Sequence, residues 1–147
     1  MKTPASIAGH PIHPMLVPIA IGCFVFSFVA DLICLKTGNV NLWAPLAYYT
    51  MLGGIAGALA AAVPGLIDML SLPPGPTRKI AVTHMSINLL VVAIYAGNAW
   101  MRHGNTNDIK VPFILSVVTV LMLLVSGWLG GKLVFERGVG VEPPSPL

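Results

Sequence analysis

The chain has 147 residues, of which 56% are hydrophobic and only 9% charged, with a formal net charge of +3. A water-soluble domain carries roughly 25% charged residues, so this composition excludes an ordinary solvated globule and leaves room for one domain. The small basic excess belongs at helix ends, where it reports topology, and no nucleic-acid partner is expected.

Residues 1–9 are short and polar enough to be loose. They lead into His10–Pro11–Ile12–His13–Pro14. Pro14 suits the first position of a helix, where its missing N–H is not needed. The residue before a proline is biased towards extended backbone, which puts His13 at the cap. The first apolar run, over about 14–35, is long enough to cross roughly 30 Å of hydrocarbon. It is too long for the core of a cleavable leader, and no A-x-A-like site follows it. Its two cysteines, Cys23 and Cys34, lie about 16 Å apart along a helix, too far to bridge within one chain. Residues 36–45 read as a turn, with Gly38, Asn39 and Asn41, and Trp43 suits a membrane interface.

The second span covers 46–70 and ends at Pro73, Pro74, Gly75 and Pro76, a strong helix breaker. Arg78 and Lys79 open a third span over 79–100. A polar loop follows, and a fourth span covers 111–135. The segment 138–147, with Pro143, Pro144 and Pro146, reads as a mobile tail. The sequence therefore predicts an all-α integral membrane protein of four transmembrane helices in an antiparallel bundle. Lys2, Arg78, Lys79, Lys132 and Arg137 fall on one side and Lys36, Arg102 and Lys110 on the other. That distribution favours a cytoplasmic-membrane protein with both termini in the cytoplasm.

Lipid is as apolar as leucine, so small and polar residues mark the inward faces. In the first span His13, Ala20, Ser27 and Cys34 recur every seven residues, with Cys23 and Asp31 close by. In the second, Gly53, Gly57, Ala61 and Gly65 make a ladder of small residues, and Asp68 follows. In the third, His84, Asn88, Val91, Tyr95, Asn98 and Arg102 share one face. The fourth carries Ser116, Thr119, Gly127 and Gly130. Plain helix packing accounts for most small residues in such stripes. The Gly53–Gly65 ladder also offers a surface for a homo-oligomer.

An antiparallel bundle brings His10, His13, Asp68, His84 and Asn88 to one end, and Asp31, Asn98 and His103 towards the other. Ionisable groups at membrane depth need partners or a function. Lys132, Arg78 or Lys79 could pair with Asp68, and Lys36 or Arg102 with Asp31. His13 could cap its helix, His10 could be solvated, and His84 could bond Asp68 or a carbonyl. Three functional readings compete. The first is one haem b near that end, with His13 and His84 as the best ligand pair and His10 and Asn88 beside them. The second is a divalent transition-metal ion held by His10, His13, His84 and Asp68. The third is a cofactor-free structural subunit whose polar groups form a buried network.

These residues also carry a resemblance. HPIHPMLVPIAIG, VADL around Asp31, AAVPGLIDML around Asp68, the His84–Asn88 pair and SGWLGGKLVFERGVGV follow in order. Through them the chain resembles a bacterial membrane family catalogued as domain of unknown function 2231. The resemblance implies four membrane-embedded helices. It also implies relatives fused to Rieske-type iron–sulfur domains, and hence a redox partner such as a Rieske or cytochrome protein. It supplies no catalytic residues. The expectation is a small redox-linked membrane subunit in contact with the lipid bilayer.

Overall fold

The computed structural model describes residues 3–103 and 109–141. A short hairpin of β1 (Ser6–Ile7) and β2 (His10–Pro11) leads into four helices: α1 (Ile12–Thr37), α2 (Val40–Ser71), α3 (Pro76–Arg102) and α4 (Lys110–Gly131). A single π turn over Lys132–Glu136 extends α4. Each of the four helices is long and apolar enough to cross a membrane. The protein is an all-α integral membrane protein, and its helices close a ring in which α1 packs on α2, α2 on α3, α3 on α4 and α4 on α1. Large apolar side chains such as Leu124, Leu89 and Val63 point outward to lipid.

The helix boundaries differ from the sequence reading by a few residues, most at the start of α1 and at the turn into α2. Helix α1 starts at Ile12, so His13 is helical rather than an extended cap, and Pro14 still lies in the first turn, where no N–H is needed. The turn expected over 36–45 shrinks to Gly38 and Asn39. Gly38 takes a left-handed conformation, φ 69°, and its N–H reaches the Cys34 carbonyl, ending α1 abruptly. Pro45 then sits inside α2, as Pro18 and Pro64 sit inside their helices, a placement membrane helices tolerate.

The N-terminal stretch is not loose where it is described. Ala8 (φ 50°) and Gly9 (φ 81°) form the tight turn of a hairpin. The Ala5 N–H donates to Asp68 Oδ1 at 2.9 Å, and the Ile12 N–H to the Ala5 carbonyl at 2.9 Å. Thr3 and Ala5 are buried. Beyond the π turn, the Val139 N–H donates to the Leu133 carbonyl at 3.0 Å, and Val139 packs on Leu72, Ala81 and Leu133. Lys2 and the rest of the expected tail, 142–147, lie outside the described residues. Asp68→Ala removes the acceptor that ties the hairpin down, and a hydrogen bond to a charged group contributes about 1.5–3 kcal/mol. Faster amide exchange over residues 5–12, with the exchange of α2 and α3 unchanged, is the expected result by mass spectrometry; unchanged exchange there would contradict it.

The contacts repeat between the two halves of the chain. The Ser27 hydroxyl donates to the Ala47 carbonyl at 2.8 Å, and the Asn98 amide to the Pro112 carbonyl at 2.9 Å. His13 Nδ1 meets the Ala61 carbonyl and His84 Nδ1 the Ser126 carbonyl, both at 2.8 Å. In each case the α3 residue lies 71 positions after its α1 counterpart, and the α4 residue 65 after its α2 counterpart. Across the centre, side chains 71 positions apart face each other. His13 faces His84, Phe24 stacks on Tyr95, and Asp31 bonds Arg102. This is the pattern of two helix pairs related by a two-fold axis along the bundle, the parallel-repeat arrangement known in membrane proteins. Helices α1 and α3 are diagonal partners and α2 and α4 flank them.

The core follows from that axis. Phe24 and Tyr95 are almost parallel, 2° apart with centroids at 4.1 Å, and Ala20, Met51, Val91 and Ala99 surround them. Small residues on α2 let it lie close against α1. A Cβ on Gly57 would stand 3.3 Å from the Ala20 backbone nitrogen, one on Gly54 2.5 Å from the Phe24 ring, and one on Gly53 3.5 Å from Cys23 Sγ. These contacts bring α2 close to α1.

Candidate functional site

Above the Phe24–Tyr95 stack, towards the hairpin end, the bundle holds a partly open cavity of about 360 Å³. Its lining is largely apolar, and His13, His84, Asn88 and Asp68 are its titratable or amide-bearing groups. The flanking helices present small residues to it: Ala61, Ala62 and Gly65 on α2, and Gly127, Gly130 and Gly131 on α4. The hairpin end closes over it, with Thr3, Pro11, Val139 and Gly140 in its wall. A size of this order, apolar walls and few polar groups are the marks of a small-molecule or cofactor site.

The imidazoles of His13 and His84 enter from the diagonal helices with ring centroids 6.3 Å apart and planes at 90°. Their tautomers are fixed by what they touch. A backbone carbonyl can only accept, so each Nδ1 bonded to one carries the proton: His13 Nδ1–H donates to Ala61 O, and His84 Nδ1–H to Ser126 O. The Ser126 hydroxyl also lies 3.0 Å from His84 Nδ1. Each Nε2 is then left with a lone pair. Metal-ligating histidines almost always have this second-shell arrangement, with one nitrogen tied to a carbonyl or carboxylate and the other presented as a ligand. The rings fit because glycine stands beside each. A Cβ on Gly65 would fall 2.8 Å from His13 Nδ1, and one on Gly130 3.1 Å from His84 Cε1. Each glycine follows by one helical turn the residue whose carbonyl holds the ring.

The sequence was compared with known families, curated proteins and solved structures. The family model described as "Predicted membrane protein (DUF2231)" matches residues 9–143. The chain belongs to this family. No curated protein and no solved structure matches it. The region matched by the DUF2231 model takes in all four helices and every cavity residue named above except Thr3.

Among the residues expected at this site of the DUF2231 chain, His13, His84, Asn88 and Asp68 reach the cavity and His10 does not. His10 is exposed on β2. Successive residues of a strand point to opposite faces, so with Pro11 turned to the cavity, His10 faces away. Asp68 is engaged by the Ala5 N–H, and Lys132, one of its expected partners, instead stands 3.6 Å from Glu136. The proposed metal-ion set of His10, His13, His84 and Asp68 is therefore not assembled. Among the described residues no three His, Cys, Asp or Glu side chains are placed to hold an ion.

The opposite end holds a closed polar network. Arg102 meets Asp31 with two parallel hydrogen bonds of 2.7 Å, and its Nε–H donates to Asn98 Oδ1 at 2.9 Å. The Asn98 amide donates to Pro112 O and to Ser116 Oγ, and Ser116 Oγ stands 3.2 Å from Asp31 Oδ2. Asp31 is 0% exposed and Arg102 2%, so the pair is fully withdrawn from solvent. Of the two expected partners, Arg102 rather than Lys36 takes Asp31. His103 sits at the end of α3, 3.5 Å from the Tyr48 hydroxyl. The described members of the network satisfy one another away from solvent, the arrangement of a structural network.

Three contributors escaped the sequence reading. Phe24 was hidden among the apolar residues of its span, Ser126 contributes through its backbone carbonyl, and Gly54 is needed only because Phe24 lies against it. Aligning the chain with itself at a shift of 71 residues would have marked Phe24, since it falls opposite Tyr95 as His13 falls opposite His84.

Proposed function

We propose that this DUF2231 protein is a small electron-transfer subunit of the cytoplasmic membrane that holds one haem b in its cavity, with His13 and His84 as the residues that would hold it. The observation that carries this reading is the facing imidazole pair. A ligating ring nitrogen stands about 2.0 Å from its metal, so two imidazoles that would share one metal have to lie close together. The separation of His13 and His84 is 6.3 Å. Both rings already have Nδ1–H bonded to a carbonyl, so neither has to change tautomer to present Nε2. Beside the pair the cavity is lined by small residues, Ala61 and Ala62 on α2 and Gly127 and Gly131 on α4.

Haem b supplies one-electron chemistry when bound. The residues of the chain supply the rest. His13 and His84 bind and orient, the carbonyls of Ala61 and Ser126 hold their rings, and the apolar wall excludes water. The hairpin covers the end nearest the site, where a redox partner of the Rieske or cytochrome kind would approach. The loop charges favour placing that end, with both termini, in the cytoplasm. The test is a visible spectrum of the protein purified in mild detergent, oxidised and then reduced with dithionite. A Soret band with sharp split α/β bands on reduction and about one haem per chain is the expected result. A colourless protein that also takes up no added haem would overturn it and leave a cofactor-free packed bundle.

A further inference from the structure

The two-fold relation between the halves breaks inside the cavity at one polar position. Asn88 lies one turn after His84, and its counterpart 71 residues earlier, one turn after His13, is Val17. The Asn88 amide nitrogen is identified by its bond to the His84 carbonyl at 2.9 Å, since a carbonyl accepts only. The same nitrogen stands 3.2 Å from His84 Nε2. Nδ1 of that ring carries the proton, so Nε2 is the acceptor and Asn88 the donor. His13 Nε2 has no such donor among the described residues. The two imidazoles of the pair are therefore not equivalent: one ligand lone pair is uncommitted, the other is already satisfied by an amide.

We infer that Asn88 makes His84 a releasable ligand, so that the site, on the haem reading above, can take up a small neutral diatomic molecule on its His84 side. A lone pair serves one partner at a time. His84 Nε2 bonds either to iron or to the Asn88 N–H, and the amide stabilises the released ring where a valine would leave a buried acceptor unsatisfied. The exchange would be one ligand for another: the bond from His84 Nε2 to the iron would be given up and a bond to the incoming molecule made in its place, with no electron or proton exchanged and His13 retained. Asn88 acts as a positioning residue, biasing which of two partners its neighbour takes.

Carbon monoxide is the probe. The full-length protein in detergent is loaded with haem b, reduced with dithionite and titrated with carbon monoxide while the Soret and α/β bands are recorded. The wild type is expected to convert from the split-band spectrum to a carbon monoxide form. Asn88→Val, which restores the symmetry with Val17, should bind carbon monoxide about three- to tenfold more weakly than wild type, the range expected for one hydrogen bond. Asn88→Ala should behave alike and guards against a misfolded valine variant. His84→Gly, with no competing ligand, should bind more tightly than wild type. A purely structural role for Asn88 would lower the melting temperature without moving the affinity. A wild type that keeps its split bands under saturating carbon monoxide, or valine and alanine variants with wild-type affinity, would overturn the inference. Absence of a Soret band before any gas is added would mark the failure of the haem reading itself, and this inference would fall with it.

Discussion

Arg102→Met is expected to destabilise the bundle by about 3–5 kcal/mol, the range found when one partner of a buried ion pair is removed. The reason is the carboxylate left behind. Asp31 is wholly buried, and two of its strongest hydrogen bonds come from the Arg102 guanidinium. Without them an ionised group remains at membrane depth with Ser116 as its remaining side-chain donor among the described residues. Asn98 loses its Arg102 donor as well, so the damage spreads from α3 to α1 and α4. The double variant Asp31→Leu/Arg102→Met should recover most of the loss, because replacing both charges by apolar groups of similar size is often neutral or stabilising. Denaturant unfolding in detergent reads both. A single variant within 1 kcal/mol of wild type, or a double variant no better than the single, would contradict the account. The haem spectrum should change little in the double variant, since the pair lies 18 residues, about 27 Å, along the helices from the histidines.

The second large effect is expected at Gly65. An added methyl there would stand 2.8 Å from His13 Nδ1 and 3.0 Å from Cε1. Either the ring leaves the Ala61 carbonyl or α2 moves away from α1, and packing of this tightness elsewhere costs about 1–3 kcal/mol to overfill. Displacing His13 removes one of the two ligands, so Gly65→Ala is expected to weaken haem binding more than tenfold. Gly130→Ala, whose methyl would meet His84 at 3.1 Å, should show the same effect in milder form. Gly127→Ala is the control. It lies in the same wall, yet its methyl meets nothing within 4 Å, and it should bind haem as wild type does. Titration with haem in detergent separates the three. Equal binding by the Gly65 and Gly127 variants would show that the ring does not need the room.

Much of this architecture could be read from the residues before any coordinates. Most of the inward face of α3 was legible, because His84, Asn88, Tyr95, Asn98 and Arg102 are polar or amphipathic and recur at helical spacing in an apolar span. Val91 fits between them, while the buried Ala81 and Ala99 carry no such signal. The ends of the bundle were legible through His13 and Asp31. What stayed hidden has physical causes. Phe24 is as apolar as the lipid-facing residues around it, so hydrophobicity could not tell its face from theirs. The carbonyls of Ala61 and Ser126 carry no side-chain signature. His10 looked equivalent to His13, but the two lie on either side of a strand-to-helix change that turns one away from the cavity. Asp68 looked like a ligand or an ion-pair partner, and it holds the hairpin's backbone instead. The ladder of small residues on α2 was recognised as a close-packing surface, yet sequence spacing does not say whether a neighbour in the same chain or another copy fills it.

The most direct measurement is a haem titration of the purified wild type beside His13→Ala and His84→Ala, followed by absorbance in the reduced state. The account predicts one haem per wild-type chain with the spectrum of two axial imidazoles. It predicts that each single variant loses that spectrum, because the ligands come one from each half of the chain. A wild type that binds no haem, or a variant of either histidine that keeps the wild-type spectrum, would contradict it.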